Sequence, residues 1–97
     1  ELYRSAEPED GFKSFSRYMK KNLRYPEPSP GDPQVVILSF KLTADGEMTE
    51  FIPIRSPGPA FTAEAIRLLS EGPAWKPAAA PTGPVDEVVS IRIVFEQ

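Results

Sequence analysis

This sequence predicts a two-layer α+β sandwich: a three-stranded antiparallel sheet with two helices on one face. Three observations predict it. Residues Gln34–Leu42 are almost continuously apolar (Val35, Val36, Ile37, Leu38, Phe40, Leu42), the pattern of a strand apolar on both faces and therefore central. The next extended run, Met48–Arg55, contains Pro53, which has no N–H to give a ladder and so belongs to an edge. Apolar residues recur at helical spacing in two further segments, 11–22 and 60–70.

Taken in order, residues 1–10 read as an irregular lead-in with little to bury. From Gly11, the spacing of Phe12, Phe15, Met19 and Leu23, with Tyr18 beside them, predicts a helix to Asn22. Asp10 is its candidate N-cap, and the bases late in the segment suit the negative end of its dipole. The helix must end before Tyr25-Pro26, because a residue preceding proline avoids helical angles. Pro26–Pro33 holds four prolines and a glycine and reads as a stiff, extended connector. Ala44-Asp45-Gly46-Glu47 is a hairpin turn. In the second strand Phe51 and Ile52 compete for the buried face. Ser56-Pro57-Gly58-Pro59 breaks the sheet. Phe61, Ala65, Leu68 and Leu69 predict a second helix, Ala60–Ser70, stopped by Gly72-Pro73. Pro73–Pro84 reads as loop, with Trp75 a core plug between the second helix and the sheet.

The last element is Val85–Phe95, eleven residues without proline or glycine in a chain with twelve prolines. Val89, Ile91, Ile93 and Phe95 share one face; Ser90 and Arg92 share the other. A helix joins the second strand to this third one, so the two run parallel. A right-handed split crossover then lays the third strand against the free side of the first. The order second–first–third leaves the proline-free strand as the other edge.

Composition narrows the function classes. Ninety-seven residues make one small domain, with 1–10 as linker and 11–97 as its body. Cysteine and histidine are both absent, which removes thiolate zinc sites, the commonest general base and the commonest metal ligand. Asp45 with Glu47 and Asp86 with Glu87 are the nearest carboxylate pairs. One lies in a turn and the other alternates across a strand start, so neither is placed to share a proton or hold a metal. Ser14 and Ser16 lie near lysines at exposed helix positions without an oxyanion site. The expectation is a binding module, not an enzyme, with no cofactor and no metal. The net charge of −3 hides an asymmetry: residues 11–25 carry five bases (Lys13, Arg17, Lys20, Lys21, Arg24) and no acid. The rest is acidic and no stacking motif accompanies the bases, which argues against nucleic acid. They read as the solvated face of an amphipathic helix, with contact to anionic lipopolysaccharide, peptidoglycan or an acidic receptor surface as the alternative. No run approaches the length of a membrane span, and the first residues lack a signal-peptide pattern.

An edge strand presents unpaired N–H and C=O groups, a template for another extended chain. The candidate binding residues are therefore Val88, Val89, Ser90, Ile91, Arg92, Ile93, Val94 and Phe95. Arg92, off the inward set, is placed to meet an acidic partner residue or to serve solubility alone.

These pieces together resemble the C-terminal domain of TonB. They are Tyr25-Pro26 after an amphipathic helix, the Val35–Leu42 strand, Ala44-Asp45-Gly46, Ile54-Arg55-Ser56, Trp75-Lys76-Pro77, and a terminal strand ending Ile93-Val94-Phe95. The likeness covers about residues 11–97. It implies a periplasmic domain of a Gram-negative bacterium, tethered to the inner membrane by an anchor that contacts an ExbB–ExbD motor driven by the proton-motive force. It also implies that the strand here spanning Val85–Phe95 captures the TonB box, an extended segment of an outer-membrane transporter. The family usually has a longer, more polar segment where this chain has Glu27–Pro33, so its loop contacts are not carried over. Two alternatives stand beside energy transduction. One is a structural or sensor-attached TonB-like domain that pairs with its own copy or a neighbouring domain; the other is a sensor whose basic helix binds cell-wall fragments.

Overall fold

A computed structural model describes residues 3–26 and 32–96; the connector expected at Glu27–Gly31 lies outside the described residues. Among the described residues the chain forms a mixed α+β domain with two helices and antiparallel sheets. In order it forms β1 (Glu7–Pro8), α1 (Gly11–Asn22), β2 (Gln34–Leu42), β3 (Met48–Arg55) and α2 (Pro59–Ser70). The short strands β4 (Trp75–Lys76), β5 (Ala78–Ala80) and β6 (Gly83–Val85) follow, and then β7 (Glu87–Phe95). The main sheet has the order β3–β2–β7, with β2 antiparallel to both neighbours. The apolar strand is central and the proline-bearing strand is an edge, as patterning predicts.

Local chemistry sets the element boundaries. Asp10 occupies the N-cap of α1, but its side chain makes no capping bond. Leu23 ends the helix by turning extended (φ −68°, ψ 133°) ahead of Pro26. The β2–β3 turn closes with Gly46 N–H donating to Thr43 O (2.8 Å) and Thr43 N–H to Glu47 O (2.9 Å). Gly46 sits at φ +88°, where a side chain would be strained. Pro59 starts α2, its fixed φ suiting the first helical turn. Ser56 Oγ braces that start, accepting from Gly58 N–H (3.2 Å) and from Thr62 Oγ1–H (2.8 Å).

One apolar cluster joins the elements. Val36, Leu38, Phe40 and Leu42 of β2 are fully buried, alternating as a strand's single face must. Phe15 of α1, Phe61, Ala65 and Leu69 of α2, Ile93 and Phe95 of β7, and Ala6, Trp75 and Ala78 join it. The Phe95 ring stands edge-on to Phe61 at 5.2 Å, and Tyr25 stacks edge-on to the same Phe61 at 5.5 Å. This is where the Tyr25 ring docks. Phe51, whose ring lies 5.8 Å from Phe40, takes the inner side of β3, leaving Ile52 exposed.

Polar bonds clasp the two helices. Tyr18 Oη–H donates to Leu68 O (2.7 Å), and burial raises that phenol's pKa. Glu64 accepts from Arg67 (2.7 Å) and from the N–H of Arg24 (2.8 Å), while Arg67 also donates to Asn22 O (3.1 Å). Burial pushes the Glu64 carboxyl up, but the donors from Arg67 and Arg24 outweigh it and hold the pKa below the ordinary range. The same partnership raises Arg67.

Three expectations need correction, and a fourth needs extension. Residues 3–10 are no loose lead-in: Glu7–Pro8 pair with Trp75–Lys76, Arg4 bridges Ala79, and Ala6 and Pro8 are buried. The segment expected as loop, Pro73–Pro84, holds β4, β5 and the start of β6, because the β5–β6 hairpin supplies backbone partners that alanines and a glycine leave unhindered. The last strand does not run unbroken from Val85. Val85 belongs to that hairpin, and β7 starts at Glu87 after Asp86 turns its carboxylate onto Ala44 N–H (2.8 Å). Trp75 is a buried plug, 2% exposed, and besides Phe40 of β2 it meets Phe12 and Phe15 of α1 edge-on, contacts with the first helix that the sequence reading did not assign.

Candidate functional site: a free strand edge and its groove

All eight expected site residues lie on β7, and their exposures split by parity. Ile93 and Phe95 are buried and Val89 and Ile91 half-buried against the core; Val88, Ser90, Arg92 and Val94 face outward. β7 pairs with β2 through nine consecutive residues, Glu87 opposite Leu42 to Phe95 opposite Gln34, without a register shift. Among the described residues nothing pairs with its other side. In an antiparallel strand alternate residues bond to one neighbour, so the remaining residues of β7 direct their N–H and C=O groups off the sheet.

The opposite edge differs. β3 slips register twice against β2, between Ile37 and Leu38 and between Ser39 and Lys41. Glu50 sits at φ +53°, uncommon for a residue with a side chain, and Pro53 has no N–H. Bulges and proline are the devices by which sheets blunt an edge. One edge is irregular and the other keeps unbroken register.

Beside the β7 edge runs a groove of about 470 Å³, lined by Ser16, Met19 and Lys20 of α1, by the helix's C-cap residue Leu23, by Arg92, Ile93 and Val94 of β7, and by Glu96. Met19 and Leu23, one helical turn apart, supply half-buried apolar surface; Lys20 and Arg92 supply positive charge. A strand laid on β7 would direct alternate side chains toward this groove. The sequence reading missed the α1 contribution. Met19 and Leu23 carry the same apolar signal as core residues, and only their partial exposure distinguishes them.

A second feature unforeseen from sequence is the role of Glu87. Its carboxylate accepts from Ala6 N–H (2.7 Å) and from Tyr3 Oη–H (2.6 Å), tying the N-terminal segment to the first residue of β7. The hydrogen bond to Glu87 raises the Tyr3 pKa. Asp86, besides holding Ala44 N–H, lies 3.7 Å from Lys41 Nζ. Both acids are thus engaged in structure, and Asp45 and Glu47 lie exposed in the hairpin turn. Among the described residues no group of three or more acidic or other ligating side chains is placed to hold a metal ion, and no helix is long and apolar enough to cross a membrane.

Comparison of the chain with protein-family models, with curated proteins and with solved structures gave no match.

Proposed function

We propose that this is a TonB-like domain that binds an extended segment of an outer-membrane transporter by strand addition on β7. In that role it works in the periplasm, tethered to the inner membrane, and passes energy from an ExbB–ExbD motor to active uptake. Both helices cover one face of the main sheet in a two-layer sandwich, and the single apolar cluster shared by α1, α2, β2 and β7 supports that arrangement. The observation that carries the proposal is the asymmetry of the two edges: β7 holds nine pairs in unbroken register and is unpaired outward among the described residues, whereas β3 is bulged and interrupted by Pro53. The α1–β7 groove adds a place for the captured segment's side chains, with Lys20 and Arg92 suited to a carboxylate.

The energetics fit a grip that must release. A handful of new backbone hydrogen bonds at about 0.5–1.5 kcal/mol net each leave, after the cost of association, a complex no tighter than roughly micromolar. Tension along the captured strand would load those bonds together. The test is titration of the 15N-labelled domain with a TonB-box-like peptide. Amide shifts concentrated at Val88–Phe95 and at the groove residues of α1 support strand addition. No shifts, with self-association that rises with concentration, would favour the alternative in which β7 pairs with its own copy.

A further inference from the structure

Helix α1 carries a charge pattern that folding does not explain. Lys13, Arg17 and Lys20 stand four and three residues apart, so they form one row along the helix, about 10 Å long at 1.5 Å per residue. Lys21 lies beside the row, and Arg24 follows just past the C-cap residue Leu23. All five are exposed. Like charges at these spacings repel one another, which weakens the helix. The dipole excuses Lys20 and Lys21, in the last turn, but Lys13 stands in the first turn, at the positive end, and the N-cap acid Asp10 makes no salt bridge with it.

The protein has acids to spare, fourteen against eleven bases, and uses them on other cations. Lys41 is paired with Glu50 and Asp86, and Arg67 with Glu64 and Glu71. Among the described residues none of the five α1-segment cations is in a salt bridge. Phe12, an aromatic 54% exposed, flanks the row. A row of unneutralised cations with an exposed aromatic at its side is the composition of a helix that lies against a charged lipid surface.

We propose that this face of α1 docks on an anionic phospholipid surface. The net charge of −3 makes the rest of the molecule repel such a surface, so attraction is local and orients the domain with α1 inward. Lys20 also lines the α1–β7 groove, so docking sets the free edge beside the membrane. The proposal does not depend on what β7 binds.

The experiment is sedimentation with vesicles of phosphatidylglycerol and phosphatidylcholine in equal parts, against vesicles of phosphatidylcholine alone. The wild-type domain binds the first and not the second, and raising salt from roughly 0.05 to 0.5 M releases it. The combined variant Lys13→Gln, Arg17→Gln, Lys21→Gln spares the groove. It loses binding on the order of a hundredfold, at roughly fivefold per cation, and still gives the same peptide shifts at β7 as the wild type. Arg55→Gln, on the far edge strand, retains vesicle binding. As a measurement free of variants, spin-labelled lipid in the anionic vesicles broadens the wild-type amides of residues 13–24 before others. Equal binding to neutral vesicles, an unchanged triple variant, or an Arg55 variant as weak as the triple one overturns the proposal. Binding to soluble polyglutamate as tight as to the vesicles also overturns it, assigning the face to an acidic polymer or protein.

Discussion

Proline placed in β7 separates the strand's two duties. Ser90 and Ile91 are neighbours in the middle of the β2–β7 ladder, opposite Ser39 and Leu38. One of the two donates its N–H to β2 and the other directs its N–H off the sheet. At the β2-facing position proline deletes a central ladder bond and strands a buried β2 carbonyl, a penalty of about 1–3 kcal/mol before ring clashes are added. That is a large share of the roughly 5–15 kcal/mol that holds a domain of this size. At the outward position no intramolecular bond is lost, so stability changes by about 1 kcal/mol or less. There an added strand loses one backbone bond and meets the ring, and affinity for the peptide falls at least roughly tenfold. Urea midpoints and peptide titrations of Ser90→Pro and Ile91→Pro give the result. The expected outcome is one variant that is unfolded or strongly destabilised and one that folds but no longer binds. If both fold and both still bind, β7 is not the contact and strand addition is wrong.

Other perturbations follow from the packing. Glu64 has a depressed pKa in the folded state, so its contribution is present above the ordinary carboxylate range and is lost as pH falls through the folded value. The drop in urea midpoint between neutral pH and acid should therefore be smaller in Glu64→Gln than in wild type; an unchanged acid dependence would refute the clasp's role. A Cβ on Gly72 would lie 2.7 Å from a Tyr18 ring carbon and 2.9 Å from Leu68 O, so Gly72→Ala should destabilise by about 1–3 kcal/mol; thermal melts that match wild type would contradict this. Trp75 Nε1 is buried with no oxygen or nitrogen acceptor among the described residues. Trp75→Phe therefore gives back a desolvated donor while shrinking the ring, and should cost about 2 kcal/mol or less, below the roughly 3–5 kcal/mol usual for deleting a buried aromatic. Glu87→Ala should release the Ala6 amide to fast exchange while β7 and the Arg4–Ala79 pair stay protected, since the carboxylate's partners are Ala6 N–H and Tyr3 Oη–H.

Much of the fold was legible because one-dimensional periodicity is a direct consequence of burial. Continuous apolarity over Gln34–Leu42 marked the central strand, Pro53 marked an edge, and helical spacing placed α1 over the residues expected for it. The eight residues of the candidate edge were readable for the same reason. What escaped was anything secured by partners distant in the chain. Glu7–Pro8 have no pattern of their own and are strands only because Trp75–Lys76 lie opposite them. Ala78–Ala80 carry no β-branched signal, and their hairpin is decided by backbone pairing with Gly83–Val85.

The competition between Phe51 and Ile52 was likewise settled by position, through the ring of Phe40, after a bulge shifted the register. Thus the amino-acid order alone determined the helices, the three main strands and their sequence across the sheet, since burial of apolar side chains writes its period into neighbouring residues. Tertiary structure alone decided the terminal strap on Glu87, the neighbours of Trp75 and the groove between α1 and β7. Those depend on which surfaces meet, and residues scores of positions apart leave no periodic trace of their meeting.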